Sequence, residues 1–207
     1  MTELFISAFV TFFVVIDPPG CAPIFASLTA GAPQAHRRTM AIRAVLVAAG
    51  ILLFFALLGE KLLGAMGISL DAFRVAGGIM LFMIAVDMVF EKRTERREHR
   101  ADDLKAHPEH EDISVFPMAI PMIAGPGSIA SVMLLTAQAK GFEATVTVLG
   151  ALASVLTISV TMLLAAGPVM KAMGYKMEAM ITRILGVVLA ALAAQYVIDG
   201  VKASFGI

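Results

Sequence analysis

The chain has 207 residues, of which 59% are hydrophobic and only 15% charged, and its mean hydropathy is +0.87. That balance excludes an ordinary water-soluble domain. Sixteen basic residues offset sixteen acidic ones, so no excess of positive charge points to nucleic acid, and a single cysteine, Cys21, excludes an intrachain disulfide framework.

Apolar runs occupy residues 4–29, 44–63, 72–90, 113–136, 145–169 and 184–198. About 20 apolar residues cross a bilayer, so the chain holds six spans and no separate soluble domain. The first run opens on "MTELFISAFVTFFVVI", which lacks a basic leader and a small-residue cleavage site, and is read as an uncleaved span. Its middle is broken by Asp17-Pro18-Pro19-Gly20-Cys21. Proline removes an amide hydrogen and clashes with the preceding turn, so one helix stops there and another starts. The mixed-charge stretch after the third run forms a solvated loop, residues 91–112. The fourth run repeats the device at Gly125-Pro126-Gly127-Ser128.

Basic residues are retained on the cytoplasmic side. With six simple crossings, the first, third and fifth loops carry twelve Lys and Arg and the opposite face four, which places both termini outside. Re-entrant first and fourth segments would change the count to eleven against five, so charge favours six full crossings only slightly.

Setting residues 18–29 against 125–136 aligns Pro19 with Pro126, Gly20 with Gly127 and Thr29 with Thr136, all 107 apart. The same offset pairs Met66-Gly67 with Met173-Gly174 and Asp71 with Glu178, and after two inserted residues "RVAGGIML" (74–81) faces "RILGVVLA" (183–190). The expected organisation is a single membrane domain, 1–207, with repeat one at 1–90, a cytoplasmic loop at 91–112 and repeat two at 113–207. Three spans per half make the repeats inverted, an all-α arrangement common in secondary transporters, here with first and fourth helices broken at Pro/Gly motifs.

Broken backbone is tolerated at depth only inside protein or beside a polar cavity. A restarting helix offers amide hydrogens and partial positive charge, which suit a carboxylate, and Ser128 adds a hydroxyl and a possible cap. Asp17 supplies a negative pole for an ammonium group, a proton or sodium. A small zwitterion satisfies both. The structural alternative is that Asp17 simply caps the following turn.

The motifs "DPPGCAPIFASLT", "FRVAGGIMLFMIAVDMVF" and "FPMAIPMIAGPGSIASVMLL", with a terminal "TRILGVVLAALAAQYVIDGV", resemble the MarC family of bacterial inner-membrane proteins, also grouped as a neutral amino acid transporter family. Family members usually show Asn or Asp, then Pro-x-Gly-x-x-Pro, in the first segment; Asp17, Pro18, Gly20 and Pro23 fill that pattern. The resemblance implies six spans, an inner-membrane location and a wider relationship to amino acid exporters, some members being linked to uptake of glycine and other small neutral amino acids.

Further candidates for gating or ion coupling are Arg74 and Arg183, at matching places in the two halves, Asp87 near the inner end of the third span, and Gln195, which sits beside Tyr196 in the last. His107 and His110 lie in a solvated acidic loop and are not read as a metal site, and the fourteen methionines are read as apolar filler. No cofactor is expected. The function classes are a secondary transporter, a passive pore or non-transporting partner protein, and, less favoured, an intramembrane enzyme pairing Asp17 with Asp87; no nucleotide-binding loop is present to couple ATP.

Overall fold

The structure is a computed structural model that describes residues 1–90 and 112–206, except for the side chains of residues 171–176 and 178. Among the described residues every regular element is helical. α1 (Thr2–Ile16) and α2 (Pro18–Leu28) form the first broken segment. α3 (Gln34–Ala65) and α4 (Leu70–Val89) complete the first half. An irregular coil (Ser114–Ile123) leads to α5 (Pro126–Gln138), and α6 (Phe142–Leu164) and α7 (Ala166–Phe205) complete the second.

Local chemistry sets several of these ends. After α3, Gly67 takes φ 71°, and the amides of Ile68 and Gly67 return to the carbonyls of Leu63 and Gly64, a glycine-terminated Schellman turn. Ser69 Oγ then accepts from Ala72 N–H at 3.1 Å and caps α4, with Asp71 in the first turn favoured by the helix dipole.

Five helical stretches, α1 and α2 together forming one, are long and apolar enough to cross a bilayer, and a sixth span arises if the coil and α5, bent by 54°, count as one. The six expected segments are therefore present, with two differences of form. The fourth begins not as an α-helix but as a coil with i→i+5 bonds such as Ala124 N–H to Ala119 O, 2.8 Å, because Pro117 and Pro121 lack the amides an α-ladder needs. The last helix starts at Ala166 rather than near residue 184; its apolar crossing part is Ala179–Phe205. The expected loop at 91–112 lies, Asp112 apart, outside the described residues.

Cross-contacts decide whether the broken segments cross or turn back. Thr147, near the start of α6, lies 3.7 Å from Met1 Sδ, while Leu163 and Leu164 at its end share a cavity with Phe25 of α2. At about 1.5 Å per residue α6 is about 34 Å long, so α1 and α2 together run its whole length in the same direction. Segment four behaves likewise along α3. Asp112 is ion-paired with Arg43 early in α3, whereas Met133 of α5 packs on Gly59 near its end. The charge pattern separated crossing from re-entry only slightly; these contacts favour crossing for both segments.

α4 and α7 pack antiparallel through glycines. A Cβ on Gly78 would meet the Ala193 carbonyl oxygen at 2.9 Å, one on Gly186 the Ala85 oxygen at 3.1 Å, and one on Gly200 the Asp71 oxygen at 3.0 Å. Such backbone proximity is how helices associate where lipid removes the hydrophobic drive between them. Outward-facing residues including Leu46, Leu57, Met83 and Val187 are exposed, a surface suited to hydrocarbon. The interior is apolar, and one of its clusters gathers Val14, Val15, Leu81, Ala85, Leu134, Leu189 and Ala193 around the first break.

Candidate functional site

Pro18 disfavours helical backbone in the residue before it, and Asp17 takes φ 57°, ψ 64°, a left-handed conformation that Asn and Asp tolerate better than other side chains. Asp17 is 1% exposed, and its Oδ1 accepts from Gly20 N–H at 3.1 Å. Pro18 and Pro19 fill the first two positions of α2 and have no amide hydrogen. Cys21 N–H donates to Asp17 O at 3.1 Å, and Cys21 Sγ donates to Ile16 O at 3.5 Å. The donors of this restart are all used or absent. The expectation that it presents free amides to an anion is corrected here: the capping role, weighed as the structural alternative, is what Asp17 performs.

The second break is built differently. Gly125 is extended at φ −81°, ψ 172°, and stands at the cap position of α5, followed by Pro126. Ile129 N–H returns to Gly125 O at 3.0 Å, but among the described residues nothing accepts from the amides of Gly127 or Ser128. Ser128 is 2% exposed and does not cap α5, contrary to expectation, because it is the third helical residue and the cap position belongs to a glycine. One turn on, Ser131 is fully buried and its Oγ has no partner. Three other buried hydroxyls fold back on their own helix: Ser159 to Val155 O at 2.9 Å, Thr29 to Phe25 O at 2.7 Å, Thr11 to Ser7 O at 2.8 Å. Ser131 has the same recourse in the Gly127 carbonyl and does not take it. Ser114, in the coil that precedes α5, is also fully buried; its amide donates to Asp112 Oδ1 at 2.9 Å, and its hydroxyl stands by the same carboxylate without a well-directed bond.

The two breaks meet. A methyl group on Gly127 would lie 3.2 Å from Val15 Cγ1, two residues before Asp17, and 2.6 and 3.3 Å from Ile84 Cδ1 and Leu81 Cδ2 of α4. Glycine at 127 is what lets the start of α5 reach the end of α1. The geometry thus brings the open amides of Gly127 and Ser128, with the unpaired Ser131 hydroxyl one turn on, beside a closed, carboxylate-bearing turn.

The remaining candidates scatter. Arg74 is half-buried and 3.4 Å from Asp71 Oδ1, its Nε buried without a partner. Arg183 is exposed on α7, where a snorkelling role fits, and Asp87 is half-buried on α4. Gln195, a candidate for gating or ion coupling, is exposed and donates to Asp199 Oδ1 of its own helix at 2.7 Å. Its neighbour Tyr196 is the buried one, close to Thr11 and Arg74. Among the described residues no group of three His, Cys, Asp or Glu could hold a metal; His107 and His110 lie outside them. Sequence reasoning missed Ser131 and Ser114. The spacing of Ser128 and Ser131, three apart on one helical face, was the available signal.

A family model described as "MarC family integral membrane protein" matches residues 2–205. A UPF0056 membrane protein of Methanocaldococcus jannaschii is 38% identical over 200 residues, covering 97% of each chain. The UPF0056 membrane protein YvbG of Bacillus subtilis is 33% identical over 99% of this chain and 97% of its own. A third UPF0056 membrane protein, from Archaeoglobus fulgidus, is 34% identical over 96% and 92%. No solved structure matches.

Proposed function

The chain belongs to the MarC family of integral membrane proteins, and on that membership and the geometry of its two breaks we propose that it is a secondary transporter of small neutral amino acids or related zwitterions, not an enzyme. The observation that carries the reading is the buried donor cluster of α5. A buried donor left unpaired costs about 1–3 kcal/mol, and more in hydrocarbon, so amides and hydroxyls held together without acceptors fit an anionic ligand group. A substrate carboxylate accepts from Gly127 N–H, Ser128 N–H and the hydroxyls of Ser128 and Ser131. Asp17, across the junction, carries the charge that an ammonium group or a coupling proton or sodium ion answers.

In this reading the halves are inverted repeats. Support comes from the pairings: segment one runs alongside α6 and segment four alongside α3, an exchange that a two-fold axis in the membrane plane produces, while α4 and α7 face each other across that axis. Rocking one half against the other would expose the junction to alternate sides. The protein sits in the bacterial inner membrane with both termini outside, the face bearing Arg37, Arg38 and Arg43 being cytoplasmic.

Counterflow in proteoliposomes tests this. Unlabelled glycine, alanine or serine is preloaded and entry of label followed for the native protein and Asp17→Asn. Asn also caps helices and tolerates left-handed backbone, so the substitution removes charge while preserving the turn. Saturable counterflow that Asp17→Asn reduces supports a carrier with a charged pole; linear, unsaturable flux indicates a pore, and no flux from folded, inserted protein removes the amino acid reading.

A further inference from the structure

A cavity of about 500 Å³ opens at the end of the bundle where α2 meets α3 and α6 meets α7, its lining residue Phe25 about two helical turns beyond the first break. Arg37, Arg38 and Gln34 come from the first turns of α3, Gly167 and Pro168 from the first turn of α7, and Phe25, Leu163 and Leu164 supply apolar wall. Three features of its charge coincide. Neither helix that starts there has a side-chain cap, so the first amides of α3 and α7 have no side-chain acceptor, while the C-terminal ends of α2 and α6 lie at the same end of the bundle. Neither Arg37 nor Arg38 has a carboxylate partner among the described residues, although Arg43, two turns along the same helix, is paired with Asp112. Arg37 also reaches the second helix start, its Nη2 4.0 Å from where a Cβ on Gly167 would stand.

We infer that this cavity binds a phosphate-bearing anion, held by the two guanidinium groups and the open ends of α3 and α7. Arginine's planar fork matches phosphate oxygens, and helix N-termini are ready anion sites. The cavity lies at the end of the crossing helix α6, where lipid headgroups are expected, and Leu164 of its wall is exposed on the outer surface while Phe25 and Leu163 are buried. An anionic phospholipid and a soluble phosphate therefore share the chemistry it recognises. This site is independent of the proposed transport site.

Purified full-length protein is tested for thermal stabilisation and, by native mass spectrometry, for retained ligand. It is presented with phosphatidylglycerol, phosphatidylcholine, inorganic phosphate or glycerol phosphate. The variants are Arg37→Gln, Arg38→Gln, their double, and Lys140→Gln as a single-charge control at the opposite end. The expected result is preferential retention of phosphatidylglycerol over phosphatidylcholine, reduced about tenfold or more in the double variant, as loss of about 1.4 kcal/mol implies, and unchanged in Lys140→Gln. Stabilisation by the soluble phosphates with the same variant dependence, and no preference between lipids, assigns the site to a free phosphate. Equal retention of both lipids with no effect of soluble phosphate, or binding that the double variant leaves intact, overturns the inference.

Discussion

Asp17-Pro18-Pro19-Gly20 and Gly125-Pro126-Gly127-Ser128 use the same two residue types to interrupt a membrane segment, and they leave opposite remainders. At the first, two prolines delete two donors, and the Asp17 carboxylate and carbonyl take the next two. At the second, a single proline deletes one donor and the cap position holds glycine, so two amides stay open beside a buried, unpaired Ser131. A helix break in a membrane is thus not in itself a binding site. What matters is whether its own side chains use up the groups the break releases.

Substitutions at the breaks test that contrast, and the largest effect is expected at Gly125. A Cβ there would overlap the Pro121 carbonyl oxygen, which is backbone and cannot swing away. Gly125→Ala should cost about 3 kcal/mol or more, or prevent insertion, read as loss of monodisperse protein and of thermal stability. Gly127→Ala should be milder, about 1–2 kcal/mol, since its closest contact is the mobile end of Ile84.

At the closed break, Asp17→Ala removes a cap and puts a β-carbon-bearing residue without local bonding into left-handed backbone. The two effects together should cost about 2–3 kcal/mol. Asp17→Gly should lose only a few tenths for the cap and Asp17→Asn about as little, because each keeps one of the features that matter there. A stability ladder in another order, with Asn as damaging as Ala, would show that charge rather than capping holds the first break. At the open break the sign reverses: Ser131→Ala removes a hydroxyl that bonds to nothing, so the unliganded protein should keep its melting temperature or gain slightly.

The smallest effect lies at the basic end. Donation from Ser114, together with the nearby Arg43 guanidinium, holds the Asp112 carboxyl below its ordinary range. A depressed folded value stabilises the protein above the unfolded value of about 4 and loses that contribution as pH falls through the folded one. Both partners are largely exposed, at 58% and 40%, so Arg43→Gln should cost under about 1 kcal/mol at pH 7 and nothing measurable near pH 2, in melting curves compared at the two pH values.

The six-segment plan was legible because runs of apolar residues of crossing length are hard to place anywhere but in lipid. Which segments accompany which was not: the decisive contacts, Met1 with Thr147 and Arg43 with Asp112, join residues 146 and 69 apart. "KAMGYKMEAMITR" reads as a loop by polarity, yet nothing in it forbids helix, and α7 runs through it. Pro117 and Pro121 permit either a kinked helix or the coil that forms. The closed state of the first break could be derived from Pro18 and Pro19, since neither has a donor to offer an anion. The open state of the second rested on Ser131, whose usual habit in a membrane helix is to bond its own backbone.

The most direct test is counterflow of glycine, alanine or serine by a Ser128→Ala/Ser131→Ala double variant that reconstitutes and melts like the native protein. Hydrogen bonds to a charged group are worth about 1.5–3 kcal/mol, so the account predicts a loss of tenfold or more in apparent affinity for entry. Native-like saturable counterflow from the double variant would contradict it and show that the open donors of α5 are not where the substrate carboxylate binds.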